Sequence, residues 1–480
     1  MKRTISYIFS GLLVVSTACS DFLDINESPN DPVSVTPNVL LPAALAGSAF
    51  ANNNELNRFG STVTSVTAGA ANSPSDYDTY TIDGADFNNQ WRFEIYNGAL
   101  ITYKSLIEAS EEIDASSYIG IAKIMTAYTF SMTTDYWGDI PYSQALQGDE
   151  NTSPELDTQE QIYLGNDSVQ SLFDLVKEGL ADLDAPSAVD PGSDDIIYGG
   201  DIESWKKAGN SLLLKFANTI SMVAPERASE EVEAVIKGGN YIDDNAENMN
   251  FTFGSSVGSR APVYEYTYVT AFSNDMMIST RFVDLLQDKN DPRLPLFVTA
   301  PTSEFVTIDN GFRGALPSPT SSWSRFSDYV TGNGDGPVRL MTNAQVQFIL
   351  AESALMLGTT GDPEEHFQTG IRASMALAGI SSEEIDAYFA TNPDEVSLNG
   401  SEEENHEKIM TQKYIALFGN GVEQWNDYRR TGFPVLEEHQ NVVGIDGTRP
   451  VRAQYINQEV ARNPNFEVIL PNVRIWWDVE

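Results

Sequence analysis

Residues Ala122 to Tyr142 read AKIMTAYTFSMTTDYWGDIPY, and this stretch decides the fold class. Ile121, Ile124, Met125, Tyr128 and Met132 recur at helical spacing and share one face. The run ends in Trp137-Gly138-Asp139-Ile140-Pro141-Tyr142, where Gly and Pro set the backbone of a tight turn. The turn residues therefore read as packing and turn-forming rather than as a site. The same spacing recurs at Leu172, Leu175, Val176, Leu180 and Leu183, and at Trp205, Ala208, Leu212, Phe216 and Ile220. It returns at Val346, Ile349, Leu350, Ala354 and Leu357, where Gly358 supplies a C-cap. Asp362-Pro363-Glu364-Glu365 then opens a helix through Phe367, Ile371 and Met375, and another carries Ile409, Met410, Tyr414 and Leu417. Helices joined by short breaks predict antiparallel pairs stacked as a helical repeat.

Long stretches without this period lie between the helices. Residues 67–90, 185–201, 251–340 and 433–480 are rich in Gly, Pro, Asn, Asp and aromatics. Loops of this length in a compact protein are usually functional. The expected architecture is mainly α. A tetratricopeptide-like helix-pair scaffold at about 92–222 and 341–430 supports an irregular, loop-rich lobe with short strands, at about 60–90 and 251–340.

The start of the chain predicts export. Lys2 and Arg3 precede an apolar run from Ile5 to Val15, too short for a membrane span, and Ser16-Thr17-Ala18-Cys19 follows. Residues 1–18 read as a lipoprotein signal peptide, although Ser16 stands where a lipobox usually carries Leu. Cys19 is the single cysteine in 480 residues, so it has no disulfide partner within the chain and is expected to carry the lipid. Residues 19–480 are then expected to form one domain.

The chain carries 69 acids against 28 bases, a formal charge of −41. Such a surface repels nucleic acid and anionic lipid, and it disfavours a strongly anionic ligand. Chemistry finds little support. His366, His406 and His439 are the only histidines and form no metal-spacing motif; no P-loop occurs. Asp288-Lys289-Asn290-Asp291 could ligate calcium but lacks the twelve-residue loop pattern, so no cofactor is assigned. Trp425, Asp427, Arg429 and Arg430 read as a buried or interface ion-pair cluster, with Glu352 as a candidate partner carboxylate.

Several separated segments resemble the SusD/RagB family of outer-membrane glycan-binding lipoproteins. Cys19-Ser20-Asp21-Phe22-Leu23-Asp24 resembles its N-terminus, and Ala122 to Tyr142 its helix and Gly-Asp-Ile-Pro-Tyr turn. Ser204 to Ser221, Asp291-Pro292-Arg293, Leu340 to Gly358 and Lys408 to Pro434 resemble further family segments. Tyr455 to Asn463 and the final Trp476-Trp477-Asp478 fit one branch. The matches run in order over the whole mature chain. The resemblance implies a lipid-anchored, cell-surface protein of the outer membrane. It implies capture of oligo- or polysaccharide without chemistry and delivery to a SusC-like TonB-dependent transporter. It does not supply the sugar; a neutral glucan, laminarin-like if the source is marine, is the expectation.

Sugars stack their C–H faces on exposed rings while amides, acids and Arg fix the hydroxyls. Two loop stretches combine such residues: Asn72, Asp76, Tyr77 and Tyr80, and Trp323, Arg325, Phe326 and Tyr329. Trp323, flanked by serines in a loop without period, is the leading candidate. Tyr264, Tyr266 and Tyr268 alternate at strand spacing, which would put all three on one face, either a sugar platform or a sheet face packed on the helices. Trp91 and Tyr96 read as core. Two other readings stay open from the residues alone. An extracellular glycoside hydrolase could place two of the many acids at acid–base separation, and a helical scaffold could dock a partner without touching sugar.

Overall fold

The computed structural model describes residues 35–479, so the leader and Cys19 lie outside the described residues. The helix Ser116–Trp137 runs through the middle of the core, and eighteen of its side chains are buried, from Ser117 to Trp137. The sequence pattern predicts one buried face; the structure buries nearly all of it. Helices Pro37–Ala51 and Ile101–Glu111 pack on one side and Leu172–Asp184 on another. A helix that is apolar nearly all round belongs inside a protein. It stops where Gly138 turns into the left-handed region at φ +76° and Trp137 donates its indole N–H to the Gln454 carbonyl at 3.1 Å.

Helix Ser116–Trp137 lies very close to Leu172–Asp184 because both carry glycine at the crossing. A Cβ on Gly120 would stand 2.6 Å from the Gly179 carbonyl oxygen, and one on Gly179 would stand 2.8 Å from that of Gly120. Helices Ile202–Ile220 and Pro225–Gly238 continue the stack. Asn343–Met356 packs on Pro363–Leu377 and on Glu402–Ala416, and Gly421–Thr431 closes against Asn57–Val63. The mainly helical, tetratricopeptide-like scaffold is therefore present.

Four helices meet at one buried polar cluster. Arg430 donates a fork to Glu352, 2.6 Å to Oε1 and 2.8 Å to Oε2. Asn218 Nδ2 donates to Glu352 Oε2 at 2.8 Å, and His406 Nε2 lies 3.0 Å from Oε1. Lys413 bridges Asp427 and Asn218, at 2.9 Å to each. The expected pairing of Glu352 with the Arg430 segment holds, and His406, read from the sequence only as part of an acidic run, joins it. Arg429 stacks its guanidinium 3.6 Å from the Trp425 ring centroid and 4.6 Å from that of Trp477. Trp477 donates its indole N–H to Asp135 at 2.9 Å, so the Trp-Trp-Asp terminus is a structural plug.

Some elements differ from the sequence reading. Asn72–Asp78 and Thr280–Asp288 are short helices inside stretches read as loop, and Pro37–Ala51 is a helix that the pattern did not mark. Thr280–Asp288 buries Phe282, Val283 and Leu286 behind a Ser279 cap; nine residues are too few for the period to stand out. Two small antiparallel sheets carry the lobe. One pairs Thr67–Gly69 with Met276–Ile278, the other Met249–Thr252 with Pro337–Met341.

The Arg430 guanidinium and His406 hold Glu352 well below the usual carboxylate range, against the opposing effect of burial. A depressed carboxylate supports the fold above its unfolded value near 4.5, and this support is lost as the pH falls through the folded value. Glu352→Gln should cost about 3–5 kcal/mol near neutral pH, because it leaves the buried Arg430 charge short of its main partner. The variant should also show a shallower acid limb in a plot of thermal midpoint against pH. Parallel acid limbs in the two proteins would refute the assignment.

Candidate functional site

Asp78, at the end of the first loop stretch singled out in the sequence, ties it to the strand Thr67–Gly69 and to the turn at 310–311. Its buried carboxylate accepts from the backbone N–H of Gly69 at 3.1 Å and of Gly311 at 2.6 Å, and from Asn310 Nδ2 at 2.6 Å. Asn310 Nδ2 also donates to the Thr67 carbonyl at 2.8 Å, and its Oδ1 accepts from Ser279 Oγ at 2.6 Å. Burial lifts Asp78 to about 7 despite these three donors. His439 completes the knot, with Nδ1 3.0 Å from the Asp78 carbonyl and Nε2 3.0 Å from Ser65 Oγ, and burial pulls it well below the ordinary imidazole value.

The rings expected to stand out from these loops are mostly inside. Trp323 is only 2% exposed and donates its indole N–H to the Pro317 carbonyl at 2.8 Å. It packs with Ala68, Met277 and Ile308 beneath the first sheet. A large apolar ring in a small lobe is the material from which that lobe builds its own core, and this outweighs the aperiodic loop around it. Phe326 is buried against Phe418, 5.2 Å between centroids. Tyr77 is buried edge-on to Phe59 at 5.2 Å and donates to Glu55 at 2.5 Å. Tyr80 is buried beside His439 and accepts from Arg449 Nε at 3.1 Å. Tyr329 is half-buried, with the Arg339 guanidinium 3.8 Å from its centroid and Phe297 at 4.6 Å. None of these five offers an open ring face.

The polar members fare differently. Asn72 and Asp76 are exposed at the rim, Asn72 donating to Asp275 at 2.9 Å. Arg325 is half-buried and works as a clamp. It donates to the carbonyls of Ser273, Thr267 (3.3 Å) and Thr320 (3.4 Å), and to Asn274 Oδ1 at 3.0 Å. These bonds fasten the 267–274 turn.

That turn carries the exposed rings. Residues Pro262–Tyr264 and Glu265–Val269 form a helical turn, not the strand that alternation predicts. Tyr266 therefore points into the core, where it accepts from Asn57 at 3.2 Å, and Tyr264 and Tyr268 come together four residues apart. Their centroids are 5.7 Å apart at 49°. Tyr268 is 40% exposed with its hydroxyl on the Phe326 carbonyl, and Phe272 is 50% exposed. The Arg58 guanidinium lies 5.9 Å from the Phe272 centroid, and that of Arg260 lies 5.4 Å from Tyr264. Tyr268, Phe272 and Asn274 are thus exposed on one clamped turn, and Asn72 is bonded to Asp275 at its end. Sequence reasoning missed Phe272; the signal was an apolar ring set in Thr270-Ala271-Phe272-Ser273-Asn274, where nothing periodic could bury it. Of the calcium candidates, Asp291 is committed to Arg293, 2.5 Å from Nη2. No cluster of three or more metal-binding side chains occurs among the described residues.

Asp78→Ala should leave Asn310 Nδ2 and two backbone N–H groups short of a partner in a buried place, at about 1–3 kcal/mol for each group left unpaired. Hydrogen exchange should then speed up in 67–80 and 276–311 while helix Ser116–Trp137 stays protected. Uniform loss of protection across the chain would show that Asp78 does not act locally.

A family model described as SusD-like, starch-binding and associating with the outer membrane matches residues 29–455. No curated protein matches the chain. Among solved structures, a chitin-binding protein superposes with a TM-score of 0.79 at 23% identity, over 93% of this chain and 100% of the other. A SusD-like protein of Bacteroidetes AC2a gives 0.78 at 22%, over 93% and 100%. A chitin-binding SusD homologue from Flavobacterium johnsoniae gives 0.76 at 22%, over 92% and 97%. Proteins of this kind bind glycans and are not enzymes. With a family match over nearly its whole length and a helix-pair scaffold that agrees with it, the chain belongs to the SusD-like family of starch-binding, outer-membrane-associated proteins.

Proposed function

We propose that this protein is a cell-surface glycan-capture lipoprotein that holds a neutral oligosaccharide on the Tyr264–Tyr268–Phe272 face and passes it to a SusC-like TonB-dependent transporter. The observation that carries this reading is the exposure of two rings, Tyr268 and Phe272, and of Asn274 on a turn clamped by Arg325, with exposed Asn72 bonded to Asp275 at its end. Rings supply flat apolar area at low entropic cost, and the amides supply donors and acceptors for hydroxyls. A clamped turn is pre-organised, so less ordering is lost on binding. The formal charge of −41 favours a neutral ligand over an anionic one.

The sugar class follows from the same chemistry and from the relatives. A β-glucan such as laminarin and a starch-like α-glucan both fit a neutral ring stack, and chitin oligomers, the ligand named for two structural relatives, are neutral as well. The Tyr268→Ala/Phe272→Ala variant should bind maltotriose, laminaritriose or chitotriose at least about tenfold more weakly than the parent, since each ring contributes on the order of 1 kcal/mol beyond its area. Its thermal midpoint should stay close to that of the parent, and neither protein should shorten the sugar. Unchanged retention by the variant would remove this face from the reading.

The anchor is tested separately. Cys19, outside the described residues, is proposed as the lipidated residue, and no helix among the described residues is long and apolar enough to cross a membrane. Cys19→Ser should move the protein from the outer-membrane fraction to the soluble one. Retention in the membrane by the serine variant would point to a different attachment.

A further inference from the structure

A second concave surface lies on the scaffold and shares no residue with the ring face. It is a cleft of about 290 Å³ between the helix Gln90–Leu100 and the loop that follows the Gly138 turn. This is the low end of small-ligand pockets, enough for about one or two sugar rings and too little for a long chain.

Tyr96 supplies the aromatic wall of the cleft, and buried Trp91 backs it rigidly. Trp91 is wedged among Trp137, Phe466 and Tyr455, at 5.2, 5.9 and 6.3 Å between centroids. Tyr96 lies 5.0 Å from Trp91, remains half-buried, and has its hydroxyl tied to the Pro141 carbonyl at 2.8 Å. The sequence reads both rings as core; the structure makes Trp91 core and leaves Tyr96 bordering a cavity. Leu146 adds apolar wall from a left-handed backbone, φ +62°, which is strained for a leucine.

The rim is made of amides. Gln144 Oε1 accepts from Asn151 Nδ2 and from the Glu155 N–H, both at 3.2 Å, and Gln144 Nε2 donates to Glu155 at 3.1 Å. Asn97 and Gln147 are exposed at the edge. Arg92 and Glu459 supply one charge of each sign among the lining residues. An apolar floor, a fixed amide rim and offsetting charges match a ligand with a flat C–H face and a ring of hydroxyls.

We propose that this cleft is a second saccharide site, taking one or two neutral sugar units. The proposal rests on the glycan-binding reading above and extends it to a separate place on the chain. Two sites on one rigid scaffold would let neighbouring branches or successive segments of one polysaccharide engage together, raising the effective concentration at each.

The test is a calorimetric titration of the intact protein with maltotriose, laminaritriose and chitotriose. It uses the parent, the ring-face variant Tyr268→Ala/Phe272→Ala and the cleft variant Asn97→Ala/Gln147→Ala. The two cleft positions are exposed, so folding is checked by an unchanged thermal midpoint. The expected result is a residual binding phase in the ring-face variant. Adding the cleft substitutions should weaken that phase at least about tenfold, the effect of losing two hydrogen bonds. If the ring-face variant loses all binding, or if its residual phase is untouched by the cleft substitutions, the second site is wrong while glycan capture stands. If the parent binds none of the three sugars, the glycan reading itself fails, and the second site with it.

Discussion

The Glu352 carboxylate and the Arg430 guanidinium are the interaction on which the scaffold depends. Both side chains are essentially without solvent, so each charge would be costly alone, and each is supplied with the other in fork geometry. The pair is not isolated. Asn218, His406, Asp427 and Lys413 bring two further helices to the same point, so the relative register of four helices is fixed by one set of donors and acceptors. Apolar packing alone would tolerate sliding of these helices by a turn; a buried network with matched partners would not. A second network, in which Trp477 and Tyr163 donate to Asp135 and Lys215 faces Glu423, ties the C-terminus to helix Ser116–Trp137 in the same way.

That rigidity is what lets the lobe be loose in sequence and still definite in shape. The lobe has only two-stranded sheets and short helices, which cannot stand alone. It is held by side-chain-to-backbone bonds instead: Asp78 and Asn310 across the first sheet, Arg325 across the 267–274 turn. These bonds satisfy backbone groups that irregular segments would otherwise bury unpaired. They also set which rings are free. Trp323 and Phe326 are spent on the core of the lobe, while Tyr268 and Phe272 sit on the clamped turn and stay largely exposed.

The scaffold was legible because its signals are long and periodic. Helices such as Ile202–Ile220 and Asn343–Met356 show their apolar spacing over fourteen or more residues, and the Glu352–Arg430 pairing followed from the rule that a buried Arg needs a carboxylate. The polar-aromatic stretches at 72–80 and 323–329, singled out in the sequence, both bond to the 267–275 segment. What could not be read was exposure. Tyr77 and Tyr268 sit in equally aperiodic, polar-flanked contexts, yet one is 1% exposed and the other 40%. The difference lies in long-range partners: Phe59 and Phe87 cover Tyr77, eighteen and ten residues away in sequence, and nothing comparable reaches Tyr268. Local composition carries no record of such contacts. Alternation also misled at Tyr264, Tyr266 and Tyr268, because three residues cannot separate a strand from a helical turn.

The placement of acid is the remaining constraint. With 69 carboxylates and 28 bases, most acids find no cation, and the arginines are a scarce resource. The structure spends many of them inside or as clamps: Arg293 on Asp291, Arg430 on Glu352, Arg429 between two tryptophans, Arg325 on loop carbonyls. Near the exposed rings, Arg58 and Arg260 are paired with Glu55 and Glu265 and lean over aromatic rings, and Arg325 is spent on the carbonyls of the turn. A ligand with sulfate or carboxylate groups would meet committed cations and a surplus of like charge, whereas a neutral sugar meets rings and amides with no charge to desolvate. This distribution of the few bases supports the proposed preference for an uncharged glycan.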